Sequence, residues 1–542
     1  MQNNSGDDFR NVVPRWRPLG SLPKAEILAV PRYKPLHQAL PEIVEADLGR
    51  WRVEKKLESG VDIFDTGTVF GDDGLIREGV RLIRAHGTAA SERIIEAVDR
   101  AFVPEPNYKA KQDRTAQLEL KSEYVHKTIA MLKRQVRNSP RDALSYLELA
   151  RLHTILAQHS AAERYLRTAI QLDPNGRLTL RAAVQYYQVV GDLPMALPLL
   201  WRSESIRRDP WLQSAEIAAA DLSGRGSRFA KSAGASIRGV SELDISKSEL
   251  ALAVATLDLD AGVRPGKVFA MVAAGLVHST ENALAQGVWL GDQTTRSLSS
   301  RFPELDFGDD AHEAKARHFY ELENYESCYE EAVRWLQDQP FQSEPFCWIA
   351  NTAVTHLDSY EALVPLAERY LSLHANDWAV LNCCVLIFAS AGQFVRAAET
   401  AHAMERLAHG EVVKAFSEAA LGMIALRVGN DQEGRQRYES AIQLAKGAKR
   451  PELVVSAYMF YLWGEAIAAR CTSSEILKGM HVAEKLSDRL PADSKVEARR
   501  TWKSIKRKIE ALLVLRQDLS QSEVDAGPKI ILENDLQLAT LG

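Results

Sequence analysis

Apolar residues recur along most of this chain every three or four positions, which is the spacing of an α-helix that buries one face. Residues 143–176 contain two such runs, the first with Tyr146, Leu149 and Ala150 and the second with Ala162, Leu166 and Ala169. Pro174 follows the second run and disfavours the helical conformation in the residue before it, so a helix should end there. The pattern predicts two short helices packed against each other.

The same pair of runs returns 34 residues later, in a block that begins at residue 177 and has Gly191 at its fifteenth position. Further blocks begin at residues 310, 344, 378 and 415, which are steps of 34, 34 and 37 residues. Small residues at positions 8 and 20 of a block allow its two helices to approach closely, and Gly or Asn near position 15 permits the turn between them. Regular spacing of this kind predicts an array of helical pairs.

The blocks resemble tetratricopeptide repeats, most clearly in the segments that begin at residues 143, 177 and 415. The resemblance covers roughly residues 143–489 and implies an all-α fold: an α-solenoid of tetratricopeptide-like helix pairs. Residues 1–120 do not fit the repeat, and we expect a mixed, irregular N-terminal region there.

Changes in the pattern predict the domain boundaries. In chain order we expect a non-repeat N-terminal region with a Pro-rich arm and short helices (1–120), a first tetratricopeptide array (121–222), degenerate helical linker repeats (223–309), a second array (310–489), a basic capping helix (490–520) and a tail (521–542). A Gly-rich segment at residues 223–227 marks the degenerate region, where a hinge or a lateral contact could lie.

Composition narrows the class of protein. The 542 residues carry 67 basic and 72 acidic side chains, a net charge of -5, which argues against a protein whose main task is to coat nucleic acid. No stretch approaches the roughly 18 apolar residues of a membrane span, and no secretory signal is evident, so we expect no membrane contact. Five cysteines without a C-x-x-C pair favour a reducing, cytoplasmic location.

Three short motifs raise the question of catalysis. Asp65-Thr-Gly resembles the active-site loop of aspartic peptidases, but it occurs once, so a homodimer would have to supply the second carboxylate. The alternative is a turn or the start of a helix. Residues 262–268 resemble a phosphate loop with incorrect spacing, and a loop between helices explains them better.

His312 and Glu313, followed by His318, lack the spacing of a zinc peptidase, because position 316 is Ala. None of the three motifs forms a complete catalytic set. We therefore expect a protein that is not an enzyme, with no catalytic residues, no cofactor and no metal.

The resemblance also implies which residues would contact a partner. In tetratricopeptide proteins, positions 2, 5, 9, 12 and 13 of a block line the concave surface. In this chain they include Arg151, Arg181, Gln185, Gln188, His318, Trp348, Asn382 and Arg427. The mixture of apolar and polar groups would suit an extended peptide or a helix of a partner protein.

Two functional hypotheses follow. The first is a scaffold, adaptor or regulatory subunit that binds a protein partner in the groove and assembles or controls a multi-protein complex, with possible self-association through the N-terminal region. The alternative is a helical-repeat protein that binds RNA or DNA through the basic last helix, with contacts from Arg499, Arg500, Lys503, Lys506 and Arg507. A capping helix with a solvated face explains the same charges.

Overall fold

The computed structural model describes residues 15–16, 42–70, 72–86, 122–238, 240, 243, 245–293 and 311–519. In these ranges every regular element is a helix, which confirms the all-α prediction. The tail at 521–542 and most of the Pro-rich arm lie outside the described residues.

The described chain divides into two compact units, residues 1–318 with 331–342 and residues 319–330 with 343–542. The helices up to residue 293 are α1 (Glu42–Glu54), α2 (Leu57–Phe70), α3 (Asp73–Ala85), α4 (Ser122–Asn138), α5 (Ala143–Ile155), α6 (His159–Leu172), α7 (Arg177–Val189), α8 (Ala196–Arg202), α9 (Pro210–Leu222), α10 (Ala230–Ile237), α11 (Ile245–Asp260), α12 (Pro265–Leu276) and α13 (Glu281–Gln293). The loop predicted for residues 262–268 is confirmed as far as Pro265, where α12 begins.

The remaining helices are α14 (His312–Glu321), α15 (Tyr325–Asp338), α16 (Glu344–Asn351), α17 (Val364–Leu373), α18 (Trp378–Ser390), α19 (Phe394–Arg406), α20 (Glu411–Arg427), α21 (Asp431–Gly447), α22 (Pro451–Ala468), α23 (Ser473–Asp488) and α24 (Ala492–Leu519). A π-helical segment, Thr352–Leu357, extends α16. The first helices of the predicted blocks begin at residues 143, 177, 312, 344, 378 and 411, within four residues of the predicted starts.

The turn inside each pair is where the sequence predicts it. The residue at position 15 has a positive φ in five blocks: Ala157 (52°), Gly191 (74°), Asp358 (54°), Gly392 (73°) and Gly429 (86°). Left-handed backbone at this point reverses the chain directly after the first helix. The prediction of a tight turn near position 15 is confirmed, although two of the five residues have side chains.

Close contact between paired helices is also confirmed. A Cβ atom added to Gly434, at position 20 of its block, would lie 2.6 Å from the Leu426 side chain, and one added to Gly422, at position 8, would lie 2.8 Å from the Tyr438 ring. Both distances are shorter than a normal carbon contact. The close approach of α20 and α21 therefore requires residues without side chains at these two positions.

Apart from Arg15 and Trp16, the described part of the N-terminal region is mainly helical. Asp65 lies inside α2 rather than in a loop or at a helix start, so the arrangement of an aspartic peptidase loop is not present. Gly67 and Gly79 allow α2 and α3 to pack closely, since a Cβ atom on either would lie 2.5 Å from a backbone nitrogen of the other helix. Trp51 lies in α1 and is buried.

These N-terminal helices pack on the repeats of the first unit. Leu57, Val61 and Phe64 share a buried cluster with Leu144, the second residue of α5. Trp51 and Leu75 share another with Trp211, the second residue of α9. Position 2 of the first helices is therefore covered by the N-terminal region, at both α5 and α9.

Candidate functional site

Three of the groove residues predicted in the first unit, Arg151, Arg181 and Gln185, are buried. Arg151 and Gln185 are 0% exposed and Arg181 is 1% exposed, whereas Gln188 is half-buried. Arg151 forms an ion pair with Glu148 on the same helix, with an N–O distance of 2.9 Å. A partner could contact these side chains only after the segments that cover them move aside.

A buried ion pair crosses this face of the first unit. Both terminal nitrogens of Arg181 donate hydrogen bonds to the Glu249 carboxylate, at 2.9 and 3.2 Å. The Thr280 hydroxyl donates a third bond to the same carboxylate at 3.0 Å. Each charge is thereby paired and hydrogen-bonded, which is the condition for burying an ion at low cost.

Glu249 was missed in the sequence. Arg181, Ser214 and Glu249 are each the fifth residue of a first helix, in α7, α9 and α11. Extending the 34-residue step into the degenerate region would have found this position, but the consensus residues needed to set the register are absent there.

The N-terminal segment supplies a further covering group. Arg15 donates hydrogen bonds to Glu313 at 2.8 Å and to Glu281 at 3.4 Å, and the Trp16 ring lies 6.0 Å from the Phe341 ring. Both residues are buried. The N-terminal segment is thus anchored to the first unit by two side chains. Arg15 lies between two first-helix carboxylates, and Trp16 packs on an aromatic ring.

Glu58 of α2 lies in the contact between the N-terminal helices and the first repeat. Its carboxylate accepts a hydrogen bond from the Ala143 backbone N–H at 3.2 Å, at the start of α5. Burial, together with the neighbouring Asp173 and Asp142, raises the pKa of Glu58 to about 7. The carboxyl is therefore held between its two protonation states near neutral pH.

This shift predicts a pH dependence. Because the pKa of Glu58 is higher in the folded chain, the folded form binds the proton more tightly, and stability should fall as pH rises from about 4.5 to about 7. Glu58→Gln lacks the titrating carboxyl, so its stability should not fall over this pH range. Its free energy of unfolding should exceed that of the wild type by roughly 2–3 kcal/mol at pH 8 and by much less at pH 5. Hydrogen exchange of α2 and α5 amides at both pH values measures the difference. A difference in stability between the two proteins that is the same at both pH values would contradict this prediction.

In the second unit the basic helix α24 has one apolar face. The stripe of α24 formed by Trp502, Ile505, Ile509 and Leu513 is buried, with Ile505 and Ile509 at 0% exposure. These residues are three or four positions apart, so they form one face of the helix. The face packs on α22 and α23 and on the π-helical segment that extends α16.

Polar contacts tie α24 to the ends of first helices far away in the sequence. Arg500 donates a hydrogen bond at 3.1 Å to the carbonyl of Glu321, the last residue of α14. Lys508 donates one at 2.7 Å to the carbonyl of Val354 and also pairs with Asp358. Glu321 occupies position 12 of its block, one of the positions expected to face a partner. The basic helix therefore does more than cap the last repeat.

A buried aromatic cluster lies beneath this contact. The Tyr320 ring lies 5.2 Å from the Trp348 ring, and the His356 ring stacks on Tyr325 at 3.8 Å. The His356 Nδ1 atom lies 2.7 Å from the Ser504 hydroxyl of α24. Burial and the nearby Lys508 lower the pKa of His356 to about 3, so the imidazole is neutral at physiological pH.

The other predicted groove residues lie on first helices and are half-buried. His318 belongs to the first unit, Trp348 and Asn382 lie on α16 and α18, and Arg427 ends α20. Arg427 donates a hydrogen bond to the Ala389 carbonyl at 2.7 Å and lies 5.5 Å from the Trp463 ring. Their role in partner binding stays a prediction.

The basic residues proposed for nucleic acid have partners within the chain. Arg499 pairs with Asp488, Lys503 with Glu323 and Lys506 with Glu484. Arg507 donates a weaker hydrogen bond to Ser504. Pairs as exposed as these are worth at most about 1 kcal/mol, so an external ligand could compete for the side chains, but the local positive potential is reduced.

The motifs considered for catalysis serve internal contacts. His312 pairs with Glu331 at 2.7 Å, and Glu313 is held by Arg15 and Arg317. In the described ranges no group of three or more His, Cys, Asp or Glu side chains is placed to hold a metal ion. None of the five cysteines forms a disulfide, and Cys383 and Cys384 lie buried in α18.

The helical pairs and their turns define the class: a TPR-like helical-repeat fold in which segments of the same chain cover first-helix positions. No known family profile matches the sequence. No curated protein sequence matches it either. Among solved structures, the crystal structure of yeast Tom70 aligns with 77% of this chain and 99% of that chain, at 12% sequence identity and a TM-score of 0.25.

A TM-score of that size is too low to support conclusions, so the helical-repeat class rests on the chain's own pairs and turns. Among the described helices, none has both the length and the hydrophobicity needed to cross a bilayer.

Proposed function

We propose that this chain is a tetratricopeptide-repeat protein that acts as a non-enzymatic scaffold or regulatory subunit in the cytoplasm. It binds a protein partner on the first-helix face and thereby assembles or controls a multi-protein complex. Trp348, Asn382 and Arg427 of the second unit, and His318 of the first unit, are predicted contacts that are partly exposed.

One observation carries the proposal. The first helices of the second unit already hold an amphipathic helix, α24, by an apolar stripe and by cations placed on helix ends. A face that binds a helix in the same chain has the chemistry to bind a helix of another protein.

Nucleic-acid binding is the less favoured hypothesis. Lys503 and Lys506 pair with carboxylates of the chain, and Arg500 faces the Tyr320 ring at 5.9 Å. A phosphate backbone would have to displace these partners and would gain nothing from the apolar surface that α24 contacts. A protein helix that took the place of α24 could use this apolar surface.

Tagged capture from the native cell, with and without nuclease and read by mass spectrometry, tests the proposal. We expect a stoichiometric protein partner that survives nuclease and that Asn382→Arg, on α18, reduces by about tenfold. The matched control is Val395→Arg on the second helix of the same pair, where the side chain is 74% exposed. Partners that vanish with nuclease, or that both variants retain equally, would contradict the proposal.

A further inference from the structure

We propose that α24 is a releasable occupant of the second unit's first-helix face, and that the external partner of this face is a basic amphipathic helix that competes with it. The inference rests on the proposed function and adds the chemistry of the partner and the control of its access. Three features of the contact support it: the groups of the face that hold α24, the division of the α24 contacts between α23 and the ends of first helices, and the exposure of the ion pairs.

The face is electronegative where it meets α24. Two first helices end there, and the carbonyl groups at a helix C-terminus carry partial negative charge that favours cations. Arg500 lies on the end of α14 and Lys508 on the end of the π-helical segment. The carboxylates of Glu323 and Asp358 lie beside them and pair with Lys503 and Lys508. An acidic helix, or a phosphate backbone, would be repelled at the same place.

The apolar part of the face sets the second requirement. Trp502, Ile505, Ile509 and Leu513 are buried, with spacings of three, four and four residues. A competing helix would therefore need large apolar residues at i, i+3, i+7 and i+11, and basic residues beside them. Lys508 also lies 4.8 Å from the Trp463 ring, so a cation near the i+6 position would have an aromatic contact as well.

The contacts of α24 fall into two groups that can be separated by mutation. Lys495 and Arg499 bind Asp488 on the preceding helix α23. Lys503 and Lys508 bind groups that lie 180 and 150 residues earlier in the chain. The first group stabilises a simple cap, whereas the second holds the helix on the partner face.

One of the two anchors of the second group, Lys503, is suited to exchange, whereas Lys508 is only 10% exposed. Lys503 is 62% exposed and its partner Glu323 is 35% exposed, so water competes for this pair and its net contribution is small. An external ligand can bind only those molecules in which α24 has left the face. If a tenth of the molecules are open in this way, the apparent affinity of the ligand is weaker by about tenfold.

Binding of a synthetic peptide with the sequence of residues 492–519 to the full-length chain tests the inference. Fluorescence anisotropy of the labelled peptide would be measured with the wild type, with Lys503→Glu/Lys508→Glu and with the matched control Lys495→Glu/Arg499→Glu, which carries the same change of charge. We expect the first variant to bind the peptide about tenfold more tightly than the wild type and the control. A peptide with Ile505→Asp and Ile509→Asp should not bind.

Hydrogen exchange of α24 shows whether the helix is released in each variant. If Lys503→Glu/Lys508→Glu leaves it protected, the full-length Ile509→Asp variant provides the release instead, with Val514→Asp as its control on the exposed side of the helix. Equal peptide binding by released and unreleased proteins, no binding to a released protein, or equally tight binding of a peptide whose lysines are replaced by Glu would overturn the inference.

The outcomes separate this inference from the proposed function. A native protein partner captured equally by the wild type and the released variant would leave the scaffold function standing and remove the competition. Tight peptide binding to the released variant, without any native protein partner in the capture experiment, would leave the self-occupied face standing and remove the scaffold function.

Discussion

Replacing Glu249 by Ala should destabilise α7 and α11 by about 3–5 kcal/mol, because the Arg181 guanidinium would then be left buried without its counter-ion. Arg181 and Glu249 have side-chain exposures of 1% and 2%, so water cannot take the place of the lost carboxylate. The free energy of opening, from native-state hydrogen exchange of the two helices, measures the effect. Arg181→Ala should cost a similar amount, since it leaves the carboxylate unpaired.

An exposed ion pair provides the matched control for this result. Glu163 and Arg167 pair at 2.6 Å on α6 with side-chain exposures of 35% and 63%, and Glu163→Ala should cost less than about 1 kcal/mol. The double variant Arg181→Met/Glu249→Leu should recover most of the loss, because apolar residues of similar volume need no counter-charge. A Glu249→Ala effect no larger than that of Glu163→Ala would show that the pair is not buried in solution.

Ile509→Ala should weaken the docking of α24 by about 2–5 kcal/mol, the usual cost of removing a fully buried aliphatic side chain. Ile509 is 0% exposed in the middle of the stripe that faces α22 and the π-helical segment. Hydrogen exchange of residues 492–519 and the rate of proteolysis within them should both rise.

Val514 lies on the same helix at 59% exposure, so Val514→Ala should change the docking energy by less than about 0.5 kcal/mol. The pair of variants tests burial rather than helix propensity, because both replace a β-branched residue with Ala in the same helix. Similar protection in both proteins would mean that α24 does not lie with this stripe inward.

Local features of the fold could be predicted from the sequence because they depend on residues that are near one another in the chain. The small residues Gly422 and Gly434 and the turn residue Gly429 all belong to one block, and each is found where the repeat requires it. Even Ala157 adopts the left-handed turn, which shows that the position in the block matters more than the identity of the residue.

The N-terminal helices were harder to predict because tertiary contacts stabilise them. The β-branched and Gly-containing residues of α2 resemble a loop or strand in isolation, yet Gly67 and Gly79 are there to let α3 pack closely. Helix propensity is a weak guide when tertiary packing compensates for glycine and β-branched residues. The buried position of Trp51 likewise depends on residues that are distant in the chain, because Trp51 shares a cluster with Trp211 and Ile245.

The candidate site could be predicted only in part. The repeat register identified first-helix positions, including Arg181, that the resemblance implies would face a partner, but not that Glu249 neutralises Arg181 from 68 residues away. The clustering of basic residues identified the charged side chains of α24, but not that Lys503 contacts a carboxylate 180 residues earlier. Such pairs depend on how successive repeats stack, and no single block contains that information.

The helical pairs, their period and the turn inside each pair follow from the sequence alone, because a 3.6-residue pattern and a few small residues specify these features over about 34 positions. Which first-helix positions are exposed and which are covered depends on tertiary contacts. Arg181 and Ile509 are buried by surfaces that meet across 68 to 180 residues of chain, and no local pattern records such contacts.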